Sequence, residues 1–164
     1  MPQRIVIDSL SFVRDEGSLQ GELPVSGLAR LHDWLSATDG AVRYRVDAAR
    51  GPQGEPQLRI EIDALLQVRC QRCLESMRYP LELRNLLELV SREVDLSQEE
   101  VEDDSKDLLP AQRELDVVAL IEDEIILALP LAPRHESCTP PALGQGANSV
   151  SPFAALTALK GWSS

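Results

Sequence analysis

The segments AVRYRVDAAR (41–50) and QLRIEIDALLQVRC (57–70) both alternate apolar and polar residues with a period of two. Between them, GPQG at 51–54 has the composition of a tight turn. A third alternating segment follows at 79–89. Because side chains of a strand point alternately to opposite faces, this pattern predicts an antiparallel meander with one buried face and one solvated face.

Shorter elements flank this meander. The β-branched run at 5–7 and the segment 19–25 predict two more strands, and residues 28–35 carry apolar side chains at helical spacing. Asp116 is a suitable N-cap for a longer amphipathic helix at 117–129. We therefore predict an α+β fold: an antiparallel sheet of about five strands, one long packed helix and two short helices, the second of them near the C-terminus.

The chain has 164 residues, a length typical of one domain. We predict a single α+β domain at 1–138 that contains an acidic loop at 95–107 without apolar periodicity. Residues 139–150 are Pro, Gly and small polar types, and they indicate a flexible linker. Residues 151–161 follow as a C-terminal docking helix, with Ser151 as its cap.

The net charge of −11 is concentrated in one part of the chain. Residues 88–124 hold fourteen acidic and three basic residues, and the remainder is balanced. A chain this acidic repels phosphate backbones as a whole, but the balanced part does not. We therefore predict a contact surface for a basic partner in this region, with Glu122, Asp123 and Glu124 on an exposed face of the long helix.

Several classes of protein are not expected. No run approaches about 18 apolar residues, so no membrane span is predicted. The first residues lack the apolar core of a signal peptide, which favours a cytoplasmic location. Phosphate-binding and dinucleotide-binding glycine motifs and a Gly-x-Ser-x-Gly nucleophile motif are missing, so neither an enzyme nor a small-molecule substrate is expected.

Two short cysteine and histidine motifs suggest a metal site. Cys70 and Cys73 stand in a predicted hairpin turn, and His135 and Cys138 follow the long helix. Together they supply the sulfur and imidazole ligands of a tetrahedral zinc site. The two motifs are 62 residues apart, so the fold must bring them together. The alternative is a set of reduced cysteines and a solvated histidine; a redox pair would need a βαβ setting.

Arginines are frequent on the solvated face of the predicted sheet. Residues 43–84 contain eight arginines against six acidic residues. Arginine suits contacts with phosphate and stacking on bases. The candidate RNA contacts are Arg43, Arg45, Arg59, Arg69 and Arg72. The alternative is an ordinary mixed-charge solvent face, which the small local excess of positive charge favours.

The order of four motifs resembles the bacterial YceD family, the large ribosomal RNA subunit accumulation proteins. The motifs are CQRCL at 70–74, EDEIILALP at 122–130, His135 with Cys138, and PFAALTALK at 152–160. The resemblance implies a role in the synthesis, processing or stability of large-subunit (23S) ribosomal RNA, together with metal binding and nucleic-acid binding. Some relatives carry a second cysteine pair where this chain has His135 and Cys138.

Together these features predict a non-enzymatic ribosome-biogenesis factor. It would act as an adaptor that contacts ribosomal RNA, or a ribosome-assembly or RNA-processing protein of basic charge. The alternative function is a direct RNA-binding module that uses the arginine-bearing sheet face and a structural zinc site. If zinc is bound by four protein ligands, no open position remains for the water or substrate of a metal-dependent hydrolase.

Overall fold

A computed structural model describes residues 4–91 and 107–141. The predicted acidic loop at 95–107 lies outside the described residues apart from Asp107, and so does the linker at 139–150 apart from its first three residues. The predicted docking helix at 151–161 lies wholly outside them. Within the described part of the chain, no helix is both long and apolar enough to cross a membrane.

The fold is α+β, as predicted, with a mostly antiparallel sheet and few helices. The strands and α-helices in chain order are β1 (Val6–Ile7), α1 (Ser9–Arg14), β2 (Ser18–Pro24), β3 (Leu35–Ala37), β4 (Ala41–Arg50), β5 (Pro56–Arg69), β6 (Ser76–Val90), β7 (Asp107–Pro110), β8 (Leu115–Asp116) and α2 (Val117–Ala128). Two 3₁₀ helices, Val25–Gly27 and Ala29–Trp34, lie between β2 and β3.

Six strands form the main sheet among the described residues, in the order β2-β4-β5-β6-β7 with β3 added beside β5. The central strands β4, β5 and β6 pair antiparallel over nearly their full lengths, which confirms the meander. The short strand β7 instead pairs parallel to the end of β6, so the sheet is not a pure meander. Strands β1 and β8 form a separate two-stranded pair.

The core lies between one face of the sheet and α2. The inward residues of β4 and β5 are almost fully buried, namely Val42, Tyr44, Val46, Leu58, Ile60, Ile62, Leu66 and Val68. Ile121 and Ile125 of α2 belong to the same apolar cluster. Asp116 begins the helix as predicted, because its Oδ1 accepts hydrogen bonds from the backbone N–H groups of Val118 and Ala119.

The short helices differ from prediction. In place of the α-helix expected at 28–35, the structure has the 3₁₀ helix Ala29–Trp34, which follows the other 3₁₀ helix, Val25–Gly27, and neither has a side-chain cap at its start. Leu28 and Leu31 are nevertheless buried, so the apolar spacing reflected packing and not a regular α-helix. A short α-helix, α1, forms where no helix was expected, and Asp8 caps it by accepting a hydrogen bond from the N–H of Ser11 at 3.0 Å.

Candidate metal centre

The tip of the β5–β6 hairpin forms a compact loop that holds Cys70 and Cys73. The N–H of Cys70 donates to the carbonyl of Glu75 at 2.9 Å, and the N–H of Leu74 donates to the carbonyl of Cys70 at 2.9 Å. Leu74 has φ of 64°, in the left-handed region where a non-glycine residue is uncommon. This tight turn brings Cys73 back towards Cys70.

The segment after α2 packs against this hairpin tip. Pro130 stops the helix, since proline lacks the N–H that would continue it. The N–H of Gln71 donates to the carbonyl of Pro133 at 2.8 Å, and Nη1 of Arg72 donates to the carbonyl of Cys138 at 3.3 Å. These two hydrogen bonds join parts of the chain that are far apart in sequence.

The four predicted ligands come together in one cluster. The ligand atoms of Cys70, Cys73, His135 and Cys138 all lie within 4.8 Å of one another. Sγ of Cys70 is 3.7 Å from Sγ of Cys138, and Sγ of Cys73 is 3.3 Å from Nδ1 of His135. Cys70 is buried and the other three side chains are partly exposed, so the cluster lies just beneath the surface.

These distances fit a tetrahedral metal site. With Zn–S bonds of about 2.3 Å and a Zn–N bond of about 2.0 Å, neighbouring ligand atoms stand roughly 3.5–3.8 Å apart. The Cys70–Cys138 separation of 3.7 Å lies in this range, and the Cys73–His135 separation of 3.3 Å falls slightly below it. Three cysteines and one histidine form a closed set of soft and borderline ligands, which suits zinc.

The electrostatics of the cluster also suit a cation. Burial raises the pKa of the Cys70 thiol, but hydrogen bonds outweigh this effect and lower the pKa to about 5. The main donors are the backbone N–H groups of Cys73, His135 and Arg72. Burial raises the pKa of the Cys138 thiol most. Its hydrogen bonds with Cys70 and Cys73, and the negative charge of those two cysteines, raise this pKa further. A bound cation would remove the repulsion that keeps a further thiol protonated.

The family model described as large ribosomal RNA subunit accumulation protein YceD matches residues 58–160, which is more than half of the chain. The chain belongs to the YceD family. The YceD match spans β5, β6, α2 and all four residues of the cluster. No curated protein and no solved structure was found to match the chain.

Three of the candidate RNA contacts lie on the open face of the sheet in this YceD family member. Arg43, Arg45 and Arg59 are exposed on the neighbouring strands β4 and β5. Each has a carboxylate as its direct cross-strand neighbour, in the pairs Arg43 with Asp63, Arg45 with Glu61, and Arg59 with Asp47. Nε of Arg45 also pairs with Asp47 at 2.7 Å. The face is therefore one of mixed charge.

The other two candidate RNA contacts lie beside the metal cluster. Arg69 is exposed at the end of β5, and Arg72 is half-buried in the hairpin tip. Arg72 is tied to the carbonyl of Cys138, so its side chain supports the joining of the two ligand-bearing segments. The five arginines consequently fall into two separate groups and do not form one continuous patch.

The acidic triplet of α2 does not form the exposed face that was predicted. Glu122 and Glu124 are only 7% and 6% exposed. Glu122 Oε1 accepts a hydrogen bond from the backbone N–H of Arg30 at 3.0 Å, and Asp123 forms an ion pair with the Arg30 guanidinium. Glu124 Oε2 accepts from Nδ2 of Asn85 at 2.8 Å. The predicted exposure is therefore wrong for Glu122 and Glu124, because both are drawn into polar contacts with neighbouring elements.

Proposed function

We propose that this protein is a non-enzymatic, cytoplasmic factor that supports the accumulation of large-subunit ribosomal RNA by contacting a basic protein partner, with a structural zinc ion at the hairpin tip. Membership of the YceD family implies involvement in accumulation of this RNA. The net charge of −11 favours a basic partner over a phosphate backbone.

The zinc assignment rests on the ligand cluster. Cys70, Cys73, His135 and Cys138 would supply four protein ligands, which fill a tetrahedral shell. A catalytic zinc keeps one position open for water or substrate, so a four-ligand site favours a structural role. When bound, the ion would fix the hairpin tip to the segment after α2. That supports a protein whose activity is to present surfaces, without catalysis of its own.

The observation that carries the adaptor proposal is the pairing of charges on the open sheet face. Arginines that bind a phosphate backbone act as a group with surplus positive charge. Here Arg43, Arg45 and Arg59 each have a carboxylate directly across the strand pair. Asp63 also pairs with Arg84, and Asp47 with Arg45, so each positive charge has negative charge beside it. This mixed-charge setting favours a protein partner over direct RNA contact.

The proposed function has a direct cellular test. Cells that lack the protein are expected to show a lower ratio of large-subunit to small-subunit ribosomal RNA, and expression of the full chain is expected to restore it. The ratio is measured by electrophoresis of total RNA and by sucrose-gradient sedimentation of subunits. An unchanged ratio in the deletion strain, in both rich and minimal medium, would contradict the proposal.

The arginine face separates the adaptor from the RNA-binding alternative. We expect the triple variant Arg43→Gln, Arg45→Gln, Arg59→Gln to restore the RNA ratio as well as the natural chain does, because each of these charges already has negative charge beside it. The purified variant and the natural chain should differ by less than about twofold in retention of large-subunit RNA on filters, because mixed-charge surfaces contribute little to phosphate binding.

The RNA-binding alternative makes the opposite prediction for this variant. In that case, loss of three phosphate contacts would make the slope of log K against log salt concentration less steep by about 0.9 for each contact, the value for a DNA duplex. Strong, salt-dependent binding by the natural chain that disappears in the triple variant would establish direct RNA contact through this face and refute the adaptor proposal. Glutamine is used because glutamate would place like charges opposite Asp63, Glu61 and Asp47.

A further inference from the structure

A groove runs between the outer edge of β6 and the second half of α2. It consists of two adjoining hollows of about 560 and 520 Å³, which share Leu83, Arg84 and Ala128 in their lining. Leu108 of β7 and Leu127 of α2 complete the apolar wall of the larger hollow. Leu127 is 81% exposed, although it belongs to the helix that packs on the core. This combination leaves apolar surface beside a concave site.

The edge of the sheet beside this groove is open in the described part of the chain. β6 pairs with β5 from Ser76 to Glu88, but with β7 only from Leu87 to Val90. The N–H of Leu86 donates to its neighbour Asn85 Oδ1 at 2.8 Å and so is not part of the ladder with β5. In an antiparallel pair, the backbone groups of every second residue point in the same direction, so those of residues 82 and 84 point away from β5, as the N–H of Leu86 does. Pro80 has no N–H, which limits strand addition to residues 82–86.

The groove is also negatively charged. Glu124, which is 6% exposed, lines it together with Asp107. Burial raises the pKa of Glu124, and the nearby charges of Asp107 and Asp123 add to that effect against the hydrogen bond from Asn85. The charge of Asp107 therefore makes Glu124 harder to ionise, and a cation in the groove would favour the ionised form of Glu124.

The basic side chain that lines the groove among the described residues is already engaged. Nη2 of Arg84 pairs with Oδ1 of Asp63 at 3.0 Å, and Nη1 donates to the carbonyls of Ile62 and Leu83. Its guanidinium is thus held towards the open face of the sheet. Glu82 adds a third carboxylate at the rim of the smaller hollow.

We propose that this groove binds a short, extended, basic segment of a protein partner. Its backbone would pair with residues 82–86 of β6, an apolar side chain would cover Leu127 and Leu108, and a lysine or arginine would reach Glu124 and Asp107. This docking site rests on the proposed adaptor function. A nucleic acid is disfavoured because its phosphates would meet these carboxylates, and a second copy is disfavoured by the net charge of −11 on each chain.

The probe for this site is a set of overlapping 12-residue peptides that cover the large-subunit ribosomal proteins, titrated against the full chain by fluorescence anisotropy. We expect bound peptides to carry a basic residue next to an apolar one and to lose binding when their backbone amides are methylated, since added strands bind through main-chain hydrogen bonds. Glu124→Gln should weaken binding by at least about tenfold, the scale for removing one partner of a buried charge pair.

Two further variants give matched tests of the apolar wall. Leu127→Ser should weaken peptide binding by about fivefold, because a leucine side chain leaves the contact. Leu131→Ser, at a leucine that is 92% exposed and outside the groove, should stay within about twofold of the natural chain. Three outcomes would overturn the proposal. They are equal peptide binding by the natural chain, Leu127→Ser and Leu131→Ser, absence of any bound peptide, and tighter binding of a 12-nucleotide single-stranded RNA at this groove.

Failure of the groove and failure of the proposed function are distinguishable. Glu124→Gln removes a carboxylate whose ionisation is opposed by burial, so at pH 7 this variant should unfold at the same or a higher urea concentration than the natural chain. If the Glu124 and Leu127 variants restore the ribosomal RNA ratio fully, the groove proposal is overturned and the proposed function stands. An unchanged ratio in the deletion strain rejects the proposed function, and the peptide titration still decides the groove.

Discussion

Cys70→Ser is expected to abolish binding of one zinc ion per chain and to lower the free energy of unfolding by several kcal/mol. Cys70 is the buried member of the ligand cluster, and its sulfur lies 3.7 Å from that of Cys138, 68 residues further along the chain. In the chain-entropy model used for disulfides, a cross-link that closes a loop of this length lowers the entropy of the unfolded chain and so stabilises the folded chain by about 4 kcal/mol. A zinc ion would hold the same two segments together in the folded chain, and because the unfolded chain does not bring its four ligands together, zinc binding is expected to stabilise the fold by several kcal/mol.

The loss should be large but not complete. Small zinc fingers unfold without their metal because they have little other core. This protein has an independent apolar core between the sheet and α2, so we expect the variant to retain the fold with a Tm lower by on the order of 10 °C. Treatment of the natural chain with a zinc chelator should give the same shift. Metal content is measured by plasma mass spectrometry and Tm by differential scanning calorimetry.

The two histidines provide a matched control for the metal site. His135→Ala removes a ligand and should reproduce the effect of Cys70→Ser, whereas His32→Ala changes an exposed histidine outside the cluster and should keep both zinc and Tm. A natural chain purified without metal that neither takes up zinc nor gains stability when zinc is added would refute the structural site. In that case the alternative of free, reduced cysteines would hold.

The strands β4, β5 and β6 were predictable because their side chains alternate between a buried and a solvated face over ten or more residues. That signal is repeated many times within one element, so local irregularities do not hide it. The strand β7 has four residues and ends at Pro110, which leaves too few repeats for a pattern. Its parallel pairing with β6 depends on the path of the intervening chain, which no local pattern encodes.

The metal cluster was predictable in its residue types but not in its geometry. Two ligand pairs 62 residues apart meet only because β6 and α2 return the chain to the hairpin tip. The hydrogen bond between Gln71 and Pro133 that joins the two segments uses only backbone atoms, so the residue types do not reveal it. The spacing of residues in the sequence therefore indicates which side chains could bind a metal, but only the tertiary fold shows that they share one site.

The burial of two of three consecutive acids on α2 follows from helix geometry. Successive residues on a helix are about 100° apart, so Glu122, Asp123 and Glu124 span roughly 200° and cannot all face solvent on a helix with a broad apolar face. The hydrogen-bond partners of the two glutamates could not be identified from the sequence, because the backbone N–H of Arg30 and the amide of Asn85 lie on elements far away in the chain. Their approach could not be deduced without the fold.

The second large effect is expected in the core, where Ile121→Ala should destabilise the protein by about 3–4 kcal/mol. Ile121 is fully buried and belongs to the cluster shared by α2 and the sheet. Truncation removes apolar contacts and leaves a cavity, and the higher helix propensity of alanine offsets only about 0.4 kcal/mol of that cost. Urea unfolding followed by circular dichroism measures the change.

Leu127→Ala is the matched control for this core variant, because it lies on the same helix with an 81% exposed side chain. Its free energy of unfolding should stay within about 0.5 kcal/mol of that of the natural chain, as for most surface substitutions. Equal effects of the two variants would mean that α2 is not held against the sheet by Ile121. A large difference between the two variants would show that α2, the helix that forms one wall of the groove and leads into the segment with His135 and Cys138, is held against the sheet through Ile121.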